Sequence, residues 1–290
     1  MHMKKRLVNL AISLLVAAGD WLSNLGRRLL GGRRRGTCVV LAYHAVTPAQ
    51  RASFARQLDT LVQHAEPVRA DIPSLPEDGK RRAAITFDDG LQTFVDNALP
   101  ELHKRQIPVA LFIVTEVLGG MSTWAHHESG HDSEEAIMSE ESLLHLPSDL
   151  VLIGSHTMTH PALPSLNEAA LRRELVGSRA KLETMLNRQV RLASFPYGAC
   201  NDKTLAVCRE ARYERVFTAL PTLAVTEPDE FVTGRVRTEP TDWPIEFRLK
   251  LAGAYRWLPQ AFALKRKMRA ALRPGSGRTI EAGTPTKRAA

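Results

Sequence analysis

Cysteine is scarce in this chain of 290 residues, which contains only Cys38, Cys200 and Cys208. An odd number of cysteines without metal-ligand spacing gives no indication of a disulfide framework or of a thiolate zinc site, and it leaves the redox compartment open. Internal repeats are also absent, which excludes a solenoid or a propeller. The length allows one main domain of about 200 residues.

The central part of the chain has few basic residues, although the net charge is +8. Lys and Arg number eight against one acid in residues 1–36, and eleven against one in residues 248–290. Of the 39 basic and 31 acidic residues in the chain, 20 and 29 remain between these ends, a net charge of −9. A nucleic-acid-binding domain usually carries a basic stripe, so we expect no nucleic-acid partner.

Residues 1–36 form a basic, apolar segment that we separate from the main domain. A basic cluster at residues 4–6 precedes a leucine-rich stretch with Trp21, and a second cluster at residues 33–35 follows it. This pattern suits an amphipathic helix on an anionic membrane surface. Its uninterrupted apolar run is shorter than the roughly 18 residues that a crossing requires. We therefore expect a peripheral anchor on the cytoplasmic membrane of a bacterium, on a face that the sequence does not define.

A secretory signal is the alternative for this segment. The basic cluster, the apolar residues 7–18 and an acceptable cleavage site at Val16-Ala17-Ala18 fit a signal peptide, which would make the protein secreted or periplasmic. At the other end, residues 257–290 combine Trp257 and Phe262 with basic residues, which suits either a membrane-bound helix or a helix packed on the domain. Residues 275–290 have the composition of a disordered tail.

Two short motifs in the central domain carry acids and histidines. Thr86-Phe87-Asp88-Asp89-Gly90 follows a short apolar run, and His156 and His160 follow another at residues 151–154. Apolar, β-branched runs of this length predict buried strands, so both motifs lie where a strand ends. If the backbone turns helical after the second strand, the two imidazoles share a face.

These side chains fit a metal site. A catalytic zinc takes three protein ligands and leaves one position open, and Asp89, His156 and His160 would supply the three. Asp88 then remains free as a base. Taken alone, an Asp-Asp pair is often a turn former or a helix cap, and two histidines four apart often lie on a solvated helix face. Their joint occurrence at strand ends favours the metal site.

The order of predicted elements indicates an α/β fold. Strand-like runs alternate with helical patterns, the clearest of them at residues 167–186 with a capping box at Ser165 and Glu168, and others at residues 91–104 and 202–212. Seven strands in this arrangement suggest a (β/α)7 barrel with active residues at the carboxyl ends of the strands. The predicted strands are residues 37–42, 83–87, 108–114, 149–154, 191–195, 215–219 and 231–236.

With these motifs the sequence resembles the polysaccharide deacetylase family, also called carbohydrate esterase family four. Residues 86–90 look like its first motif, and residues 156–160 match its second, His-[Ser/Thr]-x-x-His. A third appears in altered form as residues 194–198, with Ser194 where many members carry an Arg. Arg235 or Arg237 could reach in from a later strand to replace it. The resemblance covers about residues 39–255 and implies a distorted seven-stranded barrel.

The resemblance also implies a chemistry. A divalent metal, zinc first, with cobalt, nickel or manganese as alternatives, would activate water for attack on an acetamide. Asp88 would take the proton of that water, and the backbone N–H of Tyr197, after Pro196, would help to bind the oxyanion. His44 is our choice for the acid that protonates the amine, because no histidine follows His160 in the sequence. A purely structural role for His44 at its strand end is the alternative.

Substrate contacts are harder to assign. We name Pro196, Trp124 and Arg235 as candidates; Trp124 would stack on a sugar ring or cover the barrel mouth. His126, His127 and His131 lie in a polar stretch of the sequence. We therefore interpret this cluster as part of an exposed loop, with a second metal site as the alternative. The resemblance predicts removal of N-acetyl groups from a glycan or a lipid-linked glycan precursor. An O-acetyl esterase and a catalytically silent glycan-binding or assembly protein are the alternatives.

Overall fold

The apolar segments of the central domain form one sheet in which every strand pairing is parallel. In the computed structural model, residues 2–32, 36–122, 124 and 135–271 are described. The strand order is β8-β7-β6-β5-β4-β3-β1-β9, and β2 pairs with β3 at the side. The strands are β1 (Thr37–Tyr43), β2 (Glu66–Pro67), β3 (Arg81–Phe87), β4 (Val109–Ile113), β5 (Val151–Ser155), β6 (Leu192–Ser194), β7 (Arg215–Phe217), β8 (Val232–Thr233) and β9 (Val236–Arg237).

The last predicted strand, residues 231–236, divides into β8 and β9 around Gly234 and Arg235. The β8 half pairs with β7 and the β9 half pairs with β1, so one segment of chain links the two ends of the curled sheet. Gly234 is needed at this bend, because a Cβ there would lie 2.1 Å from the backbone oxygen of Leu220. The predicted α/β fold, a distorted (β/α)7 barrel, is confirmed, and β2 is the strand that sequence reasoning missed.

Alternate residues of each strand face two different cores. On β1, Val39 and Leu41 pack in the large core between sheet and helices, whereas Cys38 and Val40 face the small core inside the curled sheet. The same period of two holds on β3, where Ala84 faces inward. If the same alternation continues past the end of β3, the side chain of Asp88 points into the barrel interior.

Helices cover the outer face of the sheet. They are α1 (His2–Leu29), α2 (Arg51–His64), α3 (Leu99–Lys104), α4 (Glu140–Leu144), α5 (Glu168–Arg172), α6 (Ser178–Leu186), α7 (Asp202–Glu210), α8 (Pro244–Leu251) and α9 (Leu258–Ala271). Two π-helical segments, Phe94–Ala98 before α3 and Arg173–Gly177 between α5 and α6, interrupt regular helices. Such segments recur at functional sites.

The predicted helix at residues 167–186 is present, but its cap is not the predicted one. Asn167 is the N-cap and accepts a hydrogen bond from the Ala170 N–H, while the Ser165 hydroxyl donates to the Ala162 carbonyl. Ser165 belongs to the preceding 3₁₀ turn, Leu163–Ser165, and its hydroxyl closes that turn instead of capping the helix. The prediction of a capping box at Ser165 and Glu168 was therefore wrong, whereas the prediction of a helix in this region is confirmed.

Helix α1 meets the length and composition of a membrane-crossing helix over Met3–Leu29, with a mean hydropathy of 1.3 in its most apolar window. The expectation that this segment is too short to cross was wrong, because the count of uninterrupted apolar residues ignored the helical residues beyond Ala18. A signal sequence meets the same criteria. Residues 33–35, the histidines at 126, 127 and 131, and the tail at 275–290 lie outside the described residues.

Candidate metal centre and active site

Asp89, His156 and His160 meet at the carboxyl ends of β3 and β5. The Asp89 Oδ1 atom lies 3.5 Å from His156 Nε2 and 3.4 Å from His160 Nε2. All three potential ligand atoms lie within 4.8 Å of one another, and all three side chains are buried. The arrangement thus brings together the three residues that the sequence motifs singled out as ligands.

The histidine motif is a turn, so the expectation of a helical turn there was wrong. Thr157 and His160 have φ values of 70° and 62°, in the left-handed region that β-branched and bulky residues rarely adopt. Asp89 has a φ of 70° as well. Strained backbone of this kind persists where surrounding contacts hold it, and it clusters at functional sites.

Glu174, on the π-helical segment, supplies many of those contacts. Its Oε2 atom accepts hydrogen bonds of 2.9 Å from the backbone N–H groups of Met158 and Thr159, and its Oε1 accepts one of 2.8 Å from the Thr159 hydroxyl. Glu174 is buried. It therefore fixes the turn between the two histidines, a role for which the local sequence carries no signal.

The electrostatics of these side chains suit a cation. Burial raises the pKa of Asp89 well above its ordinary value, and the neighbouring Asp88 charge raises it further, while a hydrogen bond with the Trp124 indole lowers it. Burial lowers the pKa of His156 to about 4, against the attraction of Asp88, so that its imidazole is neutral near pH 7. Neutral imidazole is the form that binds metal.

His156 is also oriented for coordination. Its Nδ1 atom lies 2.8 Å from the Ser194 carbonyl oxygen, which can only accept a hydrogen bond, so Nδ1 is the nitrogen that carries the proton. That tautomer leaves the Nε2 lone pair directed at Asp89. One carboxylate oxygen and two imidazole nitrogens are ligands that a divalent ion such as zinc prefers, so the donor set of this triad suits such an ion.

Asp88 is held by Arg235. The guanidinium donates to both carboxylate oxygens, Nη1 to Oδ1 at 2.8 Å and Nη2 to Oδ2 at 2.7 Å. Burial alone would raise the pKa of Asp88, but the charge and hydrogen bonds of Arg235 hold it well below its ordinary value. Asp88 is therefore ionised at neutral pH and does not belong to the ligand triad.

Ser194 helps to hold Arg235, which reaches Asp88 from the segment between β8 and β9. The Ser194 hydroxyl accepts a 2.6 Å hydrogen bond from Arg235 Nη2, and the Thr86 hydroxyl accepts a 3.0 Å bond from Nη1. The small serine side chain leaves room for the guanidinium at the position where the sequence resemblance led us to expect an arginine. Arg237, in contrast, pairs with Glu239 at 2.8 Å near the surface.

His44 lies just beyond β1, with its Nε2 atom 4.0 Å from Asp88 Oδ2. Its side chain is 35% exposed, so it faces both the acidic pair and the cleft. Burial lowers the pKa of His44, against the attraction of Asp88, which raises it. The position is suitable for exchanging a proton with a bound molecule.

Tyr197 and Trp124 flank His160 on two sides. The Trp124 ring stacks on the imidazole at a centroid distance of 4.3 Å, and the Tyr197 ring meets it edge-on at 4.9 Å. Tyr197 has a φ of 59°, and Pro196 before it is buried. Gly198 cannot be replaced without a shift, because its Cβ would lie 2.4 Å from the Ala219 backbone nitrogen.

A cleft of about 520 Å³ opens from these residues. Its inner end holds Asp88, Asp89 and both histidines of the turn. The cleft is also lined by the apolar residues Pro221, Tyr255, Leu258 and Phe262, by charged residues that include Glu246 and Lys250, and by two residues of α1, Lys5 and Asn9.

Comparison with known proteins identifies the kind of domain that holds this site. Residues 76–216 match the family model described as polysaccharide deacetylase. The Bacillus subtilis protein YxkH, named as a polysaccharide deacetylase, is 26% identical over 156 residues, which cover 54% of this chain and 51% of that protein. The poly-beta-1,6-N-acetyl-D-glucosamine N-deacetylase of Staphylococcus epidermidis is 28% identical over 166 residues, 54% of each chain. The chain spans about half the length of the curated relatives it matches.

Solved structures show the same fold. IcaB from Ammonifex degensii superimposes with a TM-score of 0.60 at 25% identity, covering 77% of this chain and 99% of that chain. The Streptococcus pyogenes deacetylase PplD, solved with acetate, gives 0.61 at 19% identity, covering 74% and 98%. The segment that matches the family model contains Asp88, Asp89 and both histidines of the turn, so this part of the chain is a polysaccharide deacetylase domain, which indicates a hydrolase acting on amide bonds.

Proposed function

We propose that this protein is a metal-dependent N-deacetylase of amino-sugar residues in a glycan. The observation that carries the proposal is the pairing of a buried Asp-His-His triad with a second, ionised aspartate that Arg235 holds beside it. The Staphylococcus epidermidis relative is named as an N-deacetylase of poly-beta-1,6-N-acetyl-D-glucosamine, and this name supports the substrate class.

Asp89, His156 and His160 would hold a divalent cation, for which zinc is our choice. When bound, such an ion acidifies water toward a pKa of about 7 and polarises a carbonyl group. The triad leaves Asp88 out of the ligand set, so its carboxylate remains available as a base.

The residues around the triad have distinct parts in the proposed reaction. Asp88 accepts the proton of the attacking water at a carboxylate oxygen, and Arg235 keeps that carboxylate ionised and in place. The Tyr197 N–H donates to the developing oxyanion. His44 protonates the departing amine, and Trp124 and Pro196 border the bound sugar. The role of Arg235 is then positioning, although the sequence suggested direct substrate contact.

Metal content and acetate release measured on the same samples test this proposal. We expect Asp89→Ala and His156→Ala to lose both the metal and acetate release from a chitooligosaccharide, whereas Asp88→Asn keeps the metal and loses turnover. Turnover by Asp88→Asn would show that the base is misassigned. Wild-type protein that binds metal without releasing acetate from any N-acetylated glycan would instead support a silent binding protein.

His44 separates amide from ester hydrolysis. An amine leaves poorly without a proton, whereas an alcohol needs less help from an acid. We expect His44→Ala to lose acetamide hydrolysis by roughly 10²–10⁴-fold and to keep more of its activity on an O-acetyl ester. Equal losses on both substrates, with metal content unchanged, would contradict the acid role.

We also propose that the enzyme works at an anionic membrane surface, on glycan or lipid-linked glycan presented there. Its basic ends and the apolar helix α1 support attachment to the cytoplasmic membrane of a bacterium, with secretion as the alternative. Fractionation of cells into membrane, cytosol and medium separates these locations.

A further inference from the structure

Helix α1 directs three of its polar side chains at the protein. Arg6, Ser13 and Asp20 are spaced seven residues apart, so they lie on one face of the helix. Each of these three side chains contacts the segment between β9 and α9. The face of α1 that contacts its own domain therefore carries polar side chains.

The contacts at the first position join α1 to α8 and the residues before it. Arg6 Nε donates to Glu246 Oε2 at 2.8 Å, and Arg6 Nη2 donates to the Thr241 carbonyl at 3.1 Å. The guanidinium carbon also lies 4.2 Å above the centroid of the Trp243 ring. Stacked, hydrogen-bonded arginine is a directional attachment.

The other two positions attach the rest of the helix. The buried Ser13 hydroxyl accepts a 3.0 Å hydrogen bond from the Trp257 indole. Asp20 accepts two bonds from Arg256, at 2.7 and 2.8 Å. Leu10 and Val16, between these positions, pack against the main core. The helix is thus fastened along most of its length.

The opposite face of α1 is apolar and exposed. Its large side chains have exposed fractions between 40% and 89%, and they continue beyond the helix end to residue 30. They include Leu7, Val8, Leu14, Leu15, Leu22, Leu25 and Leu29. Helix α9 adds Phe262, Leu264 and Met268, exposed by 46–61%. Soluble monomers rarely expose so large a continuous apolar surface without a partner.

From these contacts we infer that α1 remains in the working enzyme and lies in the plane of an anionic lipid surface, with its apolar face in the lipid. A crossing orientation would break the attachments of Arg6 and Asp20 and place the Asp20 carboxylate in hydrocarbon, which is unfavourable for a charged group. Cleavage after Ala18 would remove the partners of Glu246 and Trp257. Lys4, Lys5 and Lys265, all exposed, match the negative charge of the lipid.

This orientation has a consequence for the substrate. Lys5 and Asn9 of α1, together with Leu258 and Phe262 of α9, line the catalytic cleft. The cleft therefore opens beside the lipid surface, where it receives a glycan that is attached to or lies against the membrane. This last step rests on the proposed deacetylase function, whereas the orientation of α1 deepens the proposed membrane location and does not depend on the reaction.

Vesicle binding by the full chain tests the inference. We expect it to co-sediment with phosphatidylcholine vesicles that contain phosphatidylglycerol, more weakly with phosphatidylcholine alone, and less as salt rises. The double variant Leu15→Gln/Leu22→Gln should bind roughly tenfold more weakly or worse. A matched control is Val62→Gln/Leu144→Gln, which changes two equally apolar exposed residues on α2 and α4. Equal losses in both double variants, or none in the first, would overturn the lipid surface.

Two further measurements address the orientation of α1. Alkaline extraction should release the protein from cell membranes, and its intact mass should include residues 1–18. Resistance to extraction would show a crossing helix, and a mass lacking these residues would show a cleaved signal; either result overturns the inference. Leu15→Gln/Leu22→Gln should release acetate from a soluble chitooligosaccharide at the wild-type rate. Absence of that activity in the wild type would overturn the proposed function and leave the vesicle result standing.

Discussion

At the scale of single residues, the site depends on two adjacent aspartates in opposite electrostatic states. Asp88 receives two hydrogen bonds from Arg235, 147 residues later in the chain, and its pKa is held low. Asp89, one residue away, has a raised pKa because burial and Asp88 both disfavour its charge. The protein therefore compensates the charge of Asp88 with Arg235, whereas the charge of Asp89 would be compensated by the cation that we propose.

Arg235 should stabilise the metal-free fold in a pH-dependent manner. Asp88 has a depressed pKa in the folded state, so its stabilisation is present above the ordinary aspartate pKa and is lost as the pH falls. In Arg235→Met, burial would raise the Asp88 pKa, and acidification would relieve the uncompensated charge. We expect Arg235→Met to be less stable by about 3–5 kcal/mol at pH 7 and by less at pH 5, in urea unfolding with a chelator present.

Arg237→Met is the control for this measurement, because Arg237 pairs with Glu239 near the surface. Its effect on stability should be within about 1 kcal/mol and nearly independent of pH. If the penalty of Arg235→Met were the same at both pH values, Asp88 would not be the group whose charge Arg235 compensates.

At the scale of elements, the sequence predicted more than it missed. All seven strands of the barrel were placed because short apolar, β-branched runs between turns carry a local signal. The turn that brings His156 and His160 together was predicted as helix. Their spacing fits a helix equally well, and the left-handed conformations at Thr157 and His160 depend on tertiary contacts.

The parts of the site that sequence reasoning missed are contacts between distant elements. Glu174 lies in a segment with an ordinary helical pattern, and nothing local indicates that its carboxylate reaches the histidine turn. Ser194 looked like the loss of an arginine. The Arg235 substitute could be named as a candidate from its position on a late strand, but choosing between it and Arg237 required the fold.

Glu174 gives a prediction at this scale. Removing its carboxylate leaves the N–H groups of Met158 and Thr159 without their acceptor and loosens the turn that orients both histidine ligands. We expect Glu174→Ala to bind zinc roughly 10–100-fold more weakly, measured by competition with a chromogenic chelator. Glu174→Gln, which keeps one acceptor oxygen, should lose less.

Glu168→Ala is the matched control, because Glu168 lies on the preceding helical segment with its side chain 72% exposed. It should bind zinc as the wild type does. Wild-type affinity in Glu174→Ala would mean that the strained turn is held by its other contacts, including the 3.1 Å bond from the Thr115 N–H to the Thr157 carbonyl.

At the scale of the whole molecule, the triad connects the ends of two strands that are not sheet neighbours. Asp89 follows β3 and the histidines follow β5, with β4 between them. Because the unfolded chain has no preformed site, metal binding should stabilise the fold as a whole. The proposed active site and the global stability are therefore linked through Asp89.

This linkage makes opposite predictions for metal-free and metal-loaded protein. Asp89 has a raised pKa in the folded state, so its ionisation destabilises metal-free protein above the ordinary aspartate pKa. Metal-free Asp89→Asn should therefore melt at a higher temperature than metal-free wild type at pH 7.

Added zinc should raise the melting temperature of the wild type and leave that of Asp89→Asn nearly unchanged. At a zinc concentration of a hundred times the dissociation constant, the free energy of unfolding of the wild type should rise by about 2.7 kcal/mol. Asp88→Asn should keep the zinc response, because it keeps all three ligands. A zinc response in Asp89→Asn equal to that of the wild type would place the ion elsewhere, since a cation held by the two histidines alone would bind far more weakly.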